Sequence, residues 1–216
     1  MRFQSSMLGL ALSIVLAGAA CAAAHAQTDV GLSLYGTFNG TTYNNNIREN
    51  PADSAGAMIE LRHIRNPLIG YEATYSFNRA NQEYVYTGFV SCPPSPVPCP
   101  IPFATVSANA HEITGDWVIS AHAGKFRPFA LAGAGVLINQ AISSGESGIQ
   151  SATTGVYVYG GGLDWGLLPH LGLRFQYRGN VYKVPEVSAA FAPATFGSMD
   201  AFKDTAEPMI GAYFRF

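Results

Sequence analysis

The chain has 216 residues, room for one domain, and a formal net charge of −2, which calls for neither nucleic acid nor an acidic partner. Charged residues make up only 12% of it, about half the usual share of a soluble domain, while apolar residues reach 48%. An apolar content of that size excludes disorder over most of the length.

Residues 1–26 read as an export signal. Arg2 supplies the positive start, "MLGLALSIVLAGAA" the apolar run, and "AHA" (Ala24, His25, Ala26) a small-x-small cleavage site before Gln27. The run is shorter than the roughly 18–20 apolar residues of a membrane-spanning helix, and no later stretch reaches that length. Cys21 raises lipid attachment as an alternative, but Gly18 stands where lipoprotein processing prefers a branched apolar residue. The division is therefore a signal peptide over 1–26 and one domain over 27–216.

From Gln27 onward the sequence repeats with period two. "VGLSLYGTFN" sets Val30, Leu32, Leu34, Gly36 and Phe38 against Gly31, Ser33, Tyr35, Thr37 and Asn39. "AMIELRHI" opposes Ala57, Ile59 and Leu61 to Glu60 and Arg62, and "IGYEATYSFN" opposes Ile69, Tyr71, Ala73, Tyr75 and Phe77 to Gly70, Glu72, Thr74, Ser76 and Asn78. Between Ser107 and Ser120 the phase inverts: Val106, Ala108 and Ala110 are apolar first, then Ile113, Gly115, Trp117 and Ile119. This predicts a bulge near His111 or a strand top that has left the apolar zone. "PFALAGAGVLI", "GVYVYGGGLDW", "LGLRFQYR" and the terminal "EPMIGAYFRF" complete eight strands. No window keeps a stripe at 3.6 residues, so helix is disfavoured.

The connections alternate in length. "RNPL", "HAGK" and "GLLPH" are tight, whereas those after the first, third, fifth and seventh strands are long and polar. In an up-and-down barrel every tight turn then falls at one end, together with both termini. The third connection holds "CPPSPVPC". After export, a disulfide between Cys92 and Cys99 is expected to close this Pro-stiffened loop; metal or thiol chemistry is the weaker alternative, lacking a nearby His or a CxxC spacing.

A soluble lipocalin-like barrel also alternates, with its apolar face inward. Lysine decides against it. A solvated exterior is normally rich in Lys, and this chain has three, Lys125, Lys183 and Lys203, all read as lying in connections. The ions of the polar faces nearly balance: Glu60, Glu72, Glu112, Asp116 and Asp164 against Arg62, Arg174, Arg178 and Arg215. That tally suits an enclosed network in a plugged lumen, with inward glycines (Gly31, Gly70, Gly160, Gly162, Gly172, Gly211) leaving room for the arginines. The apolar rows then face lipid. Phe129, Trp117, Trp165 and Phe216 form an aromatic ring near the tight turns, and Phe38, Phe77 and Tyr157 one near the long loops. The fold class is all-β: an eight-stranded antiparallel transmembrane barrel with short periplasmic turns and long extracellular loops.

"RPFALAGAGV" and "YGGGLDWGLLPHLGLRFQYRG" resemble strands of the bacterial outer-membrane β-barrel domain family, the OmpA-like and opacity-type barrels. The chain end is similar to the sorting signal of such barrels, with Gly211, Phe214 and Phe216 at the matching places and Met209 where a polar residue is preferred. The resemblance implies the bacterial outer membrane as location, with its lipid and the barrel assembly machinery as partners. It also implies an unidentified extracellular ligand for the loops. No peptidoglycan-binding domain is expected after Phe216.

Enzymes occur on this fold, and they need a Ser or His system on a lipid-facing site. His63, His111, His122 and His170 form no such set, because His111 and Glu112 are strand neighbours pointing to opposite faces. The glycines of "YGGGLDW" lack the following helix that would hold a phosphate. Glu49 and Asp53 lack the spacing of a Ca²⁺ loop. No cofactor, metal or catalytic residue is expected. The primary reading is a side-chain-filled barrel with a structural or surface-interaction role through its loops. A small-solute channel is the alternative, followed by a lipid-modifying enzyme.

Overall fold

A sheet that must satisfy every backbone group without water can do so only by closing on itself. The computed structural model describes residues 27–44, 46–65, 68–87, 103–142, 152–183, 190–191, 194–195 and 201–216. The signal segment 1–26 with Cys21, and the Cys92–Cys99 pair, lie outside the described residues. Eight long strands run up and down: β1 (Gln27–Asn39), β2 (Ser54–Ile64), β3 (Ile69–Tyr86), β4 (Phe103–Ser120), β5 (Phe126–Ile142), β6 (Ala152–Gly166), β7 (Leu171–Lys183) and β8 (Phe202–Arg215). Each pairs antiparallel with its chain neighbours. β1 also pairs with β8, from Asp29 opposite Arg215 to Asn39 opposite Thr205. The ring has no free edge, and among the described residues there is no helix.

The registers fix its shape. Following paired residues once around from Asp29 returns to β1 at Asn39, ten residues further along the same strand. With a rise of about 3.3 Å per residue and strands about 4.8 Å apart, that stagger tilts eight strands by roughly 40°. At this size the interior holds side chains and little else.

Alternation settles which face is which. Leu32 and Leu34 on β1, Ile59 on β2, Ile113 on β4 and Ile210 on β8 point outward and are exposed, whereas the intervening Ser33, Glu60, Glu112 and Thr114 are buried. Outward aromatics ring the tight-turn end, with Trp117 at 68% exposure set edge-on to Tyr71 across a 6.4 Å centroid distance. Trp165, Phe214 and Phe216 stand at the same level, and Phe38, Phe77 and Tyr157 mark the other end. A soluble monomer rarely exposes a contiguous apolar patch beyond a few hundred Å². Here a full circumferential band is apolar while arginines are wholly buried inside.

Four expectations change. Phe129 points inward, not into the periplasmic ring, and lies under the Arg62 guanidinium at 4.0 Å. No bulge occurs at His111: β3 and β4 keep one register from Ile69–Ile119 to Val85–Phe103. The inverted phase reflects Ala108 and Ala110 facing the lumen. Lys183 and Lys203 belong to strands, because β7 and β8 run further outward than their alternation suggested. The first connection carries a hairpin, Thr42–Asn44 against Ile47–Pro51, which turns through Asn46 at φ 61° and adds to the upper part of β3. Asn tolerates that left-handed conformation better than most residues.

Substituting Ile59→Arg places a cation on the lipid face near mid-strand. We expect about 2–4 kcal/mol of lost stability, measured by urea unfolding in lipid vesicles. The unmutated barrel should migrate differently on a gel before and after boiling.

Candidate functional site in the lumen

Period two brings the alternate residues of every strand into the same enclosed space. Asp29 comes from β1, Glu60 and Arg62 from β2, Glu72 from β3, Asp116 from β4, Arg127 from β5, Asp164 from β6, and Arg174 and Arg178 from β7. All are buried.

Arg174 sits at the centre. Its Nη1 donates to Glu60 Oε2 at 2.6 Å, its Nη2 to Asp29 Oδ1 at 2.9 Å and its Nε to Asp164 Oδ1 at 2.8 Å. Asp164 also accepts from Arg127 Nη2 at 2.7 Å, and Arg127 reaches Asp29 Oδ2 at 3.1 Å. Arg62 Nε donates to Glu72 Oε2 at 2.6 Å. Arg178 carries the chain of bonds outward, to Glu72 Oε1 at 3.2 Å, Thr114 Oγ1 at 3.0 Å and Asp116 Oδ2 at 2.8 Å. Seven of the eight strands are thus tied across the barrel axis. Charge-assisted bonds of this geometry are among the strong ones, and each guanidinium fork meets acids from two or more strands.

Space for the network comes from backbone choice. A Cβ at Gly31 would lie 2.7 Å from Glu60 Oε2 and 3.4 Å from Arg174 Nη1. Gly172 faces Tyr213 across the β7–β8 ladder, and any side chain there would overlap the phenol ring.

Two residues expected in this network lie elsewhere. Glu112 stands further out in the lumen, where Asn180 Nδ2 donates to its Oε2 at 3.1 Å. Arg215 lies at the rim, its guanidinium 5.4 Å over the Tyr213 ring and 3.4 Å from its hydroxyl. Conversely, sequence reasoning passed over Asp29, Arg127, Glu207 and the pair Lys203 Nζ–Glu49 Oε1 at 3.4 Å. Asp29 was recoverable by extending the polar row of β1 back by one step from Gly31. Arg127 shares a row with Phe129, so reading Phe129 as lipid-facing hid both. Burial pushes the Glu49 carboxyl above its ordinary range, with Lys203 pulling it back only in part. Asp53, its partner in the weighed Ca²⁺ loop, instead accepts the Asn39 backbone N–H at 3.4 Å.

The histidines hold local contacts. His63 Nδ1 pairs with Thr28 Oγ1 at 2.9 Å, His111 Nδ1 with the Tyr75 hydroxyl at 2.9 Å, and His170 Nδ1 with the Arg215 carbonyl at 2.9 Å. His122 borders a cavity of ≈ 320 Å³ at the tight-turn end, with Arg127, Tyr213 and Arg215. A second cavity, ≈ 40 Å³, lies on the outer side of the network, and the two share no lining residue. At the chain end Phe214 and Phe216 point outward with centroids 5.3 Å apart, while Gly211 packs against Ser33. The Phe216 N–H closes the seam by donating to the Thr28 carbonyl at 2.9 Å.

The closed eight-stranded barrel has counterparts among known proteins. The model of the outer membrane protein beta-barrel domain matches residues 12–205. The chain belongs to that family. Its location is the bacterial outer membrane. Among solved structures, the outer membrane protein OprG from Pseudomonas aeruginosa superposes with a TM-score of 0.60 at 10% identity, covering 88% of this chain and 95% of that one. Ail, the attachment invasion locus protein of Yersinia pestis, solved with the heparin analogue sucrose octasulfate, gives 0.50 at 14% identity over 88% and 97%. No curated protein sequence matches this outer-membrane barrel.

Removing the hub should be far costlier than removing a rim charge. Arg174→Gln leaves Asp29, Glu60 and Asp164 under-compensated, and we expect about 3–5 kcal/mol of lost stability. Arg215→Gln should lose under about 1 kcal/mol. Urea titration of both variants in the same lipid compares them directly.

Proposed function

We propose that this outer-membrane barrel is a filled one that acts through its extracellular connections, as a structural or surface-interaction protein, and not by conducting solutes. The observation that carries the reading is the Arg62–Glu72–Arg174–Asp164 cluster, whose side chains are fully or almost fully buried across the middle of the lumen. An ion path would have to displace bonds of 2.6–2.8 Å between opposite charges, leaving charges unpaired in an enclosed space. The separate cavities at the two ends support the same reading. No catalytic step is assigned: His63, His111 and His170 contact Thr28, Tyr75 and the Arg215 carbonyl, none of them a carboxylate, and the cavity that His122 borders is lined by no Asp or Glu among the described residues. The long polar connections would meet a ligand outside the cell.

The chain end would serve assembly. Phe214 and Phe216 form an outward aromatic pair beside the closing seam, a surface that the barrel assembly machinery would engage before β8 pairs with β1.

Purified protein in planar bilayers should give no steady conductance; a stable, large unitary current would favour the channel. Phe216→Ala should reduce the folded, heat-modifiable fraction in the outer membrane several-fold in cells. Refolding of the purified variant into detergent should change little.

A further inference from the structure

The buried charges of the lumen do not balance. Among the described residues, eight buried carboxylates (Asp29, Glu49, Glu60, Glu72, Glu112, Asp116, Asp164, Glu207) stand against four buried guanidinium groups and the Lys203 ammonium. The surplus is localised. Asp29, Glu60, Glu72, Asp116 and Asp164 are each ion-paired to arginine, and Glu49 to Lys203. None of these pairs involves Glu112 or Glu207. Arg178 lies opposite Glu207 in the β7–β8 register, yet its Nη atoms turn toward Glu72, Thr114 and Asp116.

Glu112 and Glu207 both line the outer lumen cavity, with Asn180 and Thr37 beside them. Their relative exposures are 4% and 5%, and that of Asn180 is 2%. Three oxygens there have no hydrogen-bonding partner: Glu112 Oε1, Glu207 Oε2 and Asn180 Oδ1. The Asn180 amide is already committed as donor to Glu112, and the Thr37 hydroxyl accepts from Asn78 Nδ2 at 3.3 Å. Buried acceptors without a donor are uncommon and ask for a specific cause.

We propose that this cavity is a binding site for a hard divalent cation of the Ca²⁺ type, held by Glu112, Glu207 and the Asn180 side-chain carbonyl. The three orphan atoms of the cavity are all acceptors; the orphan donor Arg178 Nε belongs to a residue outside its lining. One proton on either glutamate supplies a single donor and leaves at least one oxygen unmatched, whereas a cation serves all three and offsets the two unpaired carboxylates. All the candidate ligands are oxygens, the set a hard cation selects. Among the described residues no group of three or more His, Cys, Asp or Glu side chains is placed to hold a metal ion, so this site has two carboxylates and draws its third protein ligand from an amide. The volume of ≈ 40 Å³ accommodates one ion with a water or two completing its shell. The site would tie β4 to β7 and β8 on the outer side of the arginine network.

Tyr35 and Tyr182 line the same cavity, so Tb³⁺ bound there should luminesce on tyrosine excitation. The full mature barrel, refolded in detergent free of lipopolysaccharide, is titrated with Tb³⁺. The expected result is a saturable signal, displaced by Ca²⁺ but not by NaCl of equal ionic strength. Affinity should fall at least tenfold in Glu207→Gln and be kept in the loop control Asp53→Asn. Heat-modifiable migration verifies that each variant is folded, and Glu112→Gln replaces Glu207→Gln should the latter misfold. A wild-type barrel without a saturable, Ca²⁺-displaceable signal overturns the proposal. So does an undiminished affinity in the folded glutamine variant.

Discussion

Hydrocarbon gives a peptide group nothing to hydrogen-bond with, and every other feature of this molecule follows from that constraint. Each unpaired N–H or C=O would cost several kcal/mol there. The described strands therefore close into a ring, with β8 returning to β1 through pairs such as Leu34–Ile210 and Leu32–Ala212. Closure in turn creates an enclosed lumen, and the lumen removes bulk water from whatever it contains. The inside must then be filled, and any charge inside must find a partner.

The resulting organisation inverts that of a soluble protein. Ile59 and Ile113 are exposed while Arg62, Arg174 and Arg178 are wholly buried. Replacing a buried ion pair with apolar groups is often neutral or better for stability, whereas removing one partner is costly. The network is thus weak evidence for an optimum of stability and stronger evidence for a fixed cross-section. A Leu-packed lumen would be as apolar as the lipid-facing surface, and one slip of register would exchange the two faces at little cost. With Glu60 and Arg62 facing in, a one-residue slip of β2 would put both charges into hydrocarbon.

Legibility varied along the chain with the depth of the strand. Within the membrane, alternation in "IGYEATYSFN" and "LGLRFQYR" identifies the inward row because lipid penalises the wrong phase. Beyond the membrane that penalty fades, so Lys203 and Lys183 could occupy strands without a lipid-facing apolar row to signal it. Ala108 and Ala110 show the converse: small apolar residues line the outer lumen, and their phase reads as a break although the β3–β4 ladder is continuous. Phe129 misleads for a third reason. An aromatic ring suits a membrane interface, but it also suits the face of a guanidinium, and Arg62 takes it at 4.0 Å.

The order of residues by itself determined the eight strands, the antiparallel up-and-down path and the end at which the tight turns gather. These depend on period-two chemistry and connection length, both local properties. Which acid meets which arginine was decided only in three dimensions. Arg174 meets Glu60 and Asp29, 114 and 145 positions away in the chain, because a ten-residue stagger around the ring carries those side chains to a common height. Stagger is a property of the closed circle and of no single strand, so the pairing, the surplus of outer carboxylates and the cavity they line belong to the tertiary structure alone.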